Sequence, residues 1–277
     1  MAKNISPLMA HDNEVYGLIA WGVFPTRLLY FLGCAIGCQQ LIFSFLSFFI
    51  RENTLMGTWQ LALSVAFFFM GWQVFLFSKE SDDYIKSESN ERLARALNYA
   101  GGFWIAYQLT LFFSVAPLIA YLIRNFAGLD YQKSFLKSFV GIPAMLLALG
   151  FILFLFKEKQ LFSVKKTITQ YVEWFANKNI SRTRTLTFIS IGIGILWIWA
   201  YMADALNNTS LDNIAVALSG AAYLLIGAAV GFVWRAVREI QRNPSLIYFE
   251  RTMEKLNFFW LSSCIGFLII LVGNFLN

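Results

Sequence analysis

The sequence predicts an all-α fold, a polytopic transmembrane helical bundle of about seven spans with short cytoplasmic helical extensions. Composition supports this class, because only 14% of the 277 residues are charged and 58% are hydrophobic. A soluble domain normally carries about a quarter charged residues. Hydropathy also supports it, because apolar runs of roughly 20 residues recur, the length that crosses a hydrocarbon core of about 30 Å. Repeated sequence boxes indicate that the spans form three parallel helix-hairpin repeats followed by a final helix.

The N-terminal stretch predicts a short lead-in before the first span. The first 16 residues are polar, and the apolar stretch "GLIAWGVFPT" (17–26) is too short to cross a membrane. Proline tends to end a helix, so we expect this stretch to stop near Pro25 and to lie at the interface or re-enter it. Residues 1–26 are therefore assigned to a cytoplasmic tail and an interfacial lead-in.

Seven apolar runs follow, and we assign each of them to a membrane span. They cover residues 27–50, 55–77, 102–123, 135–156, 186–206, 214–234 and 258–276. The gaps on one side are short, and the gaps 78–101, 157–185 and 235–257 are long and charged. Helical periodicity in "SVKKTITQYVEWFANKN" (163–179) indicates that these long gaps extend the helices out of the membrane. Pro244 is expected to break the third gap.

Two similar boxes indicate the internal repeat. "ERLARALNYAGG" (91–102) and "ERTMEKLNFFWL" (250–261) share Glu-Arg followed by Leu-Asn-aromatic at the same spacing. "SRTRTLTFISIG" (181–192) keeps the Arg, the Leu and the aromatic residue. The repeats are therefore predicted at 27–101, 102–185 and 186–257, each a hairpin with its cytoplasmic connector, and 258–277 is the final span. All three hairpins point the same way, unlike the inverted repeats of many transporters.

The distribution of basic residues predicts the orientation. Of the 22 Lys and Arg residues, all but four lie on the side of the long gaps, and the exceptions are Arg51, Arg124, Lys133 and Lys137. Lys and Arg accumulate in cytoplasmic loops. The N-terminus is expected inside and the C-terminus outside, in what we interpret as a bacterial inner membrane. Membrane orientation therefore accounts for the excess of basic residues, and we do not expect nucleic acid as a partner.

Polar side chains within the spans are the candidate functional residues, because burying them in hydrocarbon is unfavourable. Five residues could line a weakly polar path for an ion or solute: Gln39, Gln40, Gln73, Gln108 and Asp204. Amide oxygens can replace water around an ion without adding a fixed charge. The alternative is that they only hydrogen-bond neighbouring helices, at about 0.6 kcal/mol each.

Small residues, prolines and cysteines have more ordinary interpretations. Closely spaced glycines permit tight helix contacts, and these are Gly33, Gly37, Gly220, Gly227 and Gly231. Pro117 and Pro143 are expected to kink their helices. Cys34 and Cys38 share a helix face and are weak candidates for a soft metal such as Cu(I), although buried cysteine is also a common small packing residue.

The sequence lacks the residue patterns of the common enzyme classes. The single histidine is His11 in the polar tail, and neither GxxxxGK[ST] nor GxSxG occurs. We expect no cofactor and no enzymatic activity. The favoured hypothesis is a channel or transport-type protein that partners the lipid bilayer and self-assembles. The alternative is a non-catalytic scaffold of a larger membrane complex. A lipid-modifying enzyme that uses Asp82 and Asp83 is a third, less favoured hypothesis.

Overall fold

The computed structural model describes residues 7–50, 54–87, 89–127, 168–205 and 211–276, and this part of the chain contains six long helices. They are α1 (Pro7–Phe49), α2 (Thr54–Ser87), α3 (Asn90–Ala127), α4 (Ile168–Ala205), α5 (Leu211–Arg242) and α6 (Leu246–Leu276). The shortest has 31 residues, or about 46 Å, so every helix exceeds the thickness of a hydrocarbon core. The predicted all-α membrane-type fold is confirmed for these residues.

Four of the described helices are long and apolar enough to cross a membrane, judged by length and composition. Their qualifying segments are Tyr16–Phe49, Met56–Ser87, Ala217–Arg242 and Ile247–Gly273. The predicted span 135–156, with Pro143, lies outside the described residues. The count of seven spans and the threefold repeat therefore stay predictions.

The first helix is continuous through Pro25, where the sequence predicted an end. Its 43 residues extend for about 64 Å. Pro25 has no N–H to offer the preceding turn. Side-chain hydrogen bonds lie around it: the Thr26 hydroxyl donates to the carbonyl oxygens of Gly22 and Val23, both at 2.9 Å. From α6, Cys264 Sγ donates to the carbonyl oxygen of Pro25 at 3.1 Å. The short lead-in is thus part of a longer helix.

The gaps 78–101 and 235–257 prove to be mainly continuations of the helices, and the gap 157–185 is helical from Ile168 onward. Helix α2 extends ten residues past the predicted end at 77, and α3 begins at Asn90, so the two helices nearly meet. Helices α5 and α6 are separated only by Asn243–Ser245, where Pro244 lies. We call the end of the bundle that holds these two connections the charged end.

The six described helices pack in a closed ring. Each helix packs mainly against its neighbours in sequence order, and α6 closes the ring by packing against α1. Aromatic side chains fill the interior, where Phe77, Phe103 and Trp104 contact Trp260, with ring centroids 5.0 to 6.3 Å apart. Buried aromatic pairs are stabilising beyond the area they bury. The middle of the ring is thus packed around residues of α2, α3 and α6.

Candidate functional site

The predicted polar-path residues lie at different depths. Gln39, Gln40 and Gln73 are buried, whereas Gln108 on α3 is partly buried. Gly33 of α1 lies opposite Gly71 of α2, and this register separates Gln39 from Gln73 by about 12 Å along the bundle. Asp204 lies in the last turn of α4, and its side chain is outside the described residues. Gln39 and Gln73 therefore lie at different levels of the bundle, and the polar path through all five residues stays a prediction.

The glycines of α1 face α2. A Cβ added at Gly33 would lie 3.5 Å from the Gly71 Cα, and one at Gly37 would lie 3.1 Å from the Phe68 ring. The Ser64 hydroxyl donates to the Gly37 carbonyl oxygen at 2.7 Å. The two backbones approach closely here because no side chain separates them.

The glycines of α5 face α4 in the same manner. A Cβ at Gly220 would lie 3.0 Å from the Gly194 carbonyl oxygen, one at Gly227 would lie 3.0 Å from the Ile191 nitrogen, and Gly231 lies against Thr187. Pro117 lies within α3, but its side chain is not among those that the structure describes. The predicted kink at Pro117 stays a prediction.

The cysteines do not converge in the part of the chain that the structure describes. Cys34 is partly buried beside Gly71, Cys38 is exposed, and Cys264 is buried against α1. Within the described ranges, no group of three or more His, Cys, Asp or Glu side chains is placed to hold a metal ion.

Charged residues pair with one another at the charged end. Arg92 binds Glu80 at 2.9 Å and Asp83 at 3.4 Å, and Asp82 binds Lys86 at 2.8 Å and Arg27 at 3.5 Å. The hydrogen bond that Arg92 donates to the Glu80 carboxylate raises the pKa of Arg92. These contacts join α1, α2 and α3. Both aspartates, considered above for lipid chemistry, are therefore engaged by basic side chains.

A different cluster contains the most notable buried polar atoms, where α3 meets α4 near the charged end. Asn179 and Arg182 of α4 pack against Gly101 of α3: an added Cβ there would lie 3.2 Å from Asn179 Oδ1 and 3.7 Å from Arg182 Nη1. The absence of a side chain at Gly101 leaves room for both groups. Asn179 Nδ2 donates to the Phe175 carbonyl oxygen at 2.9 Å. This hydrogen bond fixes the orientation of the amide, so that Oδ1 faces Gly101.

Asn179 Oδ1 and Arg182 Nη1 are enclosed, and neither atom has a hydrogen-bond partner among the residues that the structure describes. Among the described residues no ion pair with Arg182 is found, and burial lowers the pKa of its guanidinium. Arginine nevertheless stays protonated at physiological pH. Among the described residues, this partly buried positive charge therefore has no counter-charge.

Two tryptophans extend this cluster into the ring. Trp104 lies one helical turn beyond Gly101, and its indole is parallel to that of Trp260 at 6.3 Å. Both side chains are fully buried, and both indole nitrogens lack a hydrogen-bond partner. We call Gly101, Trp104, Asn179, Arg182 and Trp260 the Arg182 site.

Further unsatisfied atoms lie close to the site along α2 and α6. Gln73 Oε1 is buried without a partner one turn from Phe77, whose ring touches Trp260. Ser263 Oγ is likewise unpartnered, three residues beyond Trp260. On the other side of Arg182, one turn earlier on α4, Lys178 Nζ donates to Asn98 Oδ1 at 2.9 Å. Polar groups therefore continue from the charged end into the aromatic interior.

The sequence analysis missed the Arg182 site, apart from Gln73 beside it. Arg182 was placed in the inner gap 157–185, and neither Trp104 nor Trp260 was a candidate. One signal was present: Arg182 occupies the arginine position of the repeated box that contains Arg92 and Arg251. Arg92 has carboxylate partners, whereas Arg182 has none among the described side chains.

The chain is a protein of the helical membrane class, as its apolar helices show. No protein-family model matches the chain, and neither a curated protein nor a solved structure shows significant similarity to it.

Proposed function

We propose that the chain is a channel or transport-type membrane protein that passes an ion or a small polar solute between its helices. The observation that carries this proposal is a group of enclosed polar atoms on α2, α3, α4 and α6 that have no partner among the described residues. It includes Gln73 Oε1, Trp104 Nε1, Asn179 Oδ1, Arg182 Nη1, Trp260 Nε1 and Ser263 Oγ.

The cost of these atoms supports the proposal. A buried polar group without a partner is unfavourable by about 1–3 kcal/mol. Native proteins retain such groups where water, an ion or a ligand satisfies them. A group of them in one region of a membrane bundle is typical of a solute path. Under this proposal the aromatic cluster around Trp260 closes the path in the present conformation.

The proposed setting follows the distribution of basic residues. The charged end faces the cytoplasm of a bacterial inner membrane, and the bundle acts as a self-assembled oligomer. Solute entering from the cytoplasm would then meet Lys178 and Arg182 before it meets the tryptophans.

The direct test is flux through liposomes that contain the purified protein. We expect flux of at least one member of a panel of K⁺, Na⁺, Cl⁻ and a small uncharged solute, above that of protein-free liposomes. A Gly101→Val variant fills the space beside Arg182 Nη1 and is expected to reduce the flux severalfold.

The matched control is Gly192→Ala, because a Cβ at Gly192 would meet no atom within 4 Å. This variant should conduct like the wild type. Absence of flux for the entire panel, with and without a membrane potential or a pH gradient, would overturn the proposal. Recovery of the protein with other subunits after crosslinking in native membranes would then favour the scaffold hypothesis.

A further inference from the structure

We infer that the Arg182 site binds a small monovalent anion, with the Arg182 guanidinium beside Gly101 as its principal contact. This inference deepens the proposed function by naming the solute class, and it rests on that function for the passage of the anion across the membrane.

The charge balance of the site points to an anion. Arg182 has an enclosed Nη1 and no ion-pair partner among the described residues. A charged group that is withdrawn from water without a counter-charge is strongly destabilising. Arginine cannot relieve this by releasing its proton. An anion supplies the missing charge, and a hydrogen bond between two ions is about twice as strong as one between neutral groups.

The uncharged partners also favour an anion over a cation. The unpartnered atoms of Trp104 and Trp260 are N–H groups, which donate only. Two buried donors and a guanidinium offer several hydrogens and would repel a metal cation. Asn179 Oδ1 is the single acceptor of the site, and it can accept a hydrogen bond from a water molecule that accompanies the anion.

The space beside Arg182 is the one left by the missing side chain of Gly101, and this favours a small ligand. Gly101 provides the free space on the α3 side, and Trp104 and Trp260 are fully buried within the aromatic interior. One uncompensated guanidinium matches one negative charge. These features fit an anion of the size of chloride or nitrate.

The approach to the site is also positively charged. Lys178 precedes Arg182 by four residues on the same helix, and residues at this spacing are neighbours on the helix surface. Lys178 is partly buried, with its Nζ 4.5 Å from the centre of the Trp174 ring. Two cations in succession attract an anion from the charged end toward the interior.

The test measures anion binding by the detergent-solubilised full chain, without reference to transport. Sodium chloride and sodium nitrate are titrated at constant ionic strength against sodium gluconate, whose anion is much larger than chloride or nitrate. We expect the Tm of the wild type to rise with chloride or nitrate, because a ligand that binds only the folded state stabilises it. We also expect a saturable change in tryptophan fluorescence that Trp104→Phe reduces.

Two variants that remove the same charge from the same helix decide the result. Arg182→Gln is expected to weaken binding at least tenfold. Arg184→Gln is the control, because Arg184 is exposed two residues away, and it should bind like the wild type. If Arg182→Gln does not fold, Arg182→Lys and Gly101→Val replace it, and both are expected to weaken binding severalfold.

The outcomes separate this inference from the proposed function. Equal responses of the wild type, the Arg182 variant and the Arg184 variant would show a general salt effect and overturn the anion site. Flux of cations without saturable anion binding would also overturn it and leave the transport proposal standing. Saturable binding that depends on Arg182, without any flux, would support the site and overturn the transport proposal.

Discussion

Single glycines determine how closely α4 and α5 approach, and two of them allow a controlled comparison. Gly194 and Gly192 are two residues apart on α4. A Cβ at Gly194 would lie 2.7 Å from Leu224 Cγ and 2.9 Å from the Gly220 carbonyl oxygen. The latter atom belongs to the backbone and cannot rotate away. A Cβ at Gly192 would meet nothing within 4 Å.

This difference predicts opposite effects of the same substitution. Gly194→Ala gains about 1 kcal/mol of helix propensity but loses about 1–3 kcal/mol through overpacking, and we expect a net loss of stability. Gly192→Ala gains helix propensity without overpacking, so its effect on stability should be neutral or favourable. Thermal unfolding of both variants in the same detergent measures the difference. Equal Tm values would contradict the close contact between α4 and α5.

At the residue scale, the sequence revealed which side chains are unusual but not which of them lack partners. The glutamines stood out because amides are rare in apolar segments. Gln60 illustrates the limit, since its Oε1 accepts a hydrogen bond from Ser47 at 2.7 Å. Arg182 was unremarkable in a gap with many basic residues. Its importance depends on Gly101 across the interface, and no local pattern contains that information.

At the scale of elements, α1 and α6 are joined by two polar contacts, one at Leu18 and one at Pro25. Asn257 Nδ2 donates to the Leu18 carbonyl oxygen at 2.6 Å, and Cys264 Sγ donates to the Pro25 carbonyl oxygen. Asn257 is nearly fully buried. The contact with Leu18 is remote in sequence, so it fixes the position of the first helix relative to the last of the described helices.

Removal of the Asn257 amide is expected to loosen this contact. Asn257→Ala leaves the Leu18 carbonyl without its donor from α6 and should lower the free energy of unfolding by about 1 kcal/mol. Asn243→Ala is the control, because Asn243 is exposed in the turn between α5 and α6. Chemical or thermal unfolding in detergent reports both values. An equal effect of the two substitutions would exclude a structural role for the Asn257 amide.

The position of Pro25 also shows where local sequence rules were insufficient. Proline disfavours a continuing helix, and the apolar stretch before it is short. The helix nevertheless continues, and Thr26 and Cys264 bind backbone oxygens around the proline. Transmembrane helices tolerate proline where neighbouring helices and threonine side chains supply such partners. Thr26 was visible in the sequence, whereas the contribution of a residue 239 positions away was not.

At the scale of the molecule, the outer surface of α1 presents an apolar stripe. The exposed residues follow a helical spacing of three and four, and they are Trp21, Phe24, Leu28, Phe31, Ile42, Phe45 and Phe49. Phe24 is 75% exposed and Phe49 is 77% exposed. Soluble monomers rarely leave so large an apolar surface in water. Contact with lipid explains this apolar stripe, in agreement with the membrane class that the composition of the chain predicts.

A charge within the stripe should therefore impair membrane insertion. Phe31 is 65% exposed near the middle of α1. Phe31→Arg is expected to disfavour the inserted state by about 2.5–3.5 kcal/mol, whereas Phe31→Leu should insert like the wild type. Extraction of membranes with alkaline carbonate separates inserted from released protein. Complete retention of the Arg variant in the membrane fraction would indicate that this face is covered by protein and not by lipid.

The closure of the ring by α6 affects the order in which the molecule can be assembled. Chains enter the membrane from the N-terminus as they are synthesised. Until α6 emerges, Phe77, Phe103 and Trp104 lack Trp260 as their packing partner, and the α1 backbone around Pro25 lacks its two contacts from α6. The last described helix therefore completes the packing of the bundle. Chains that end before it are expected to expose sites for degradation.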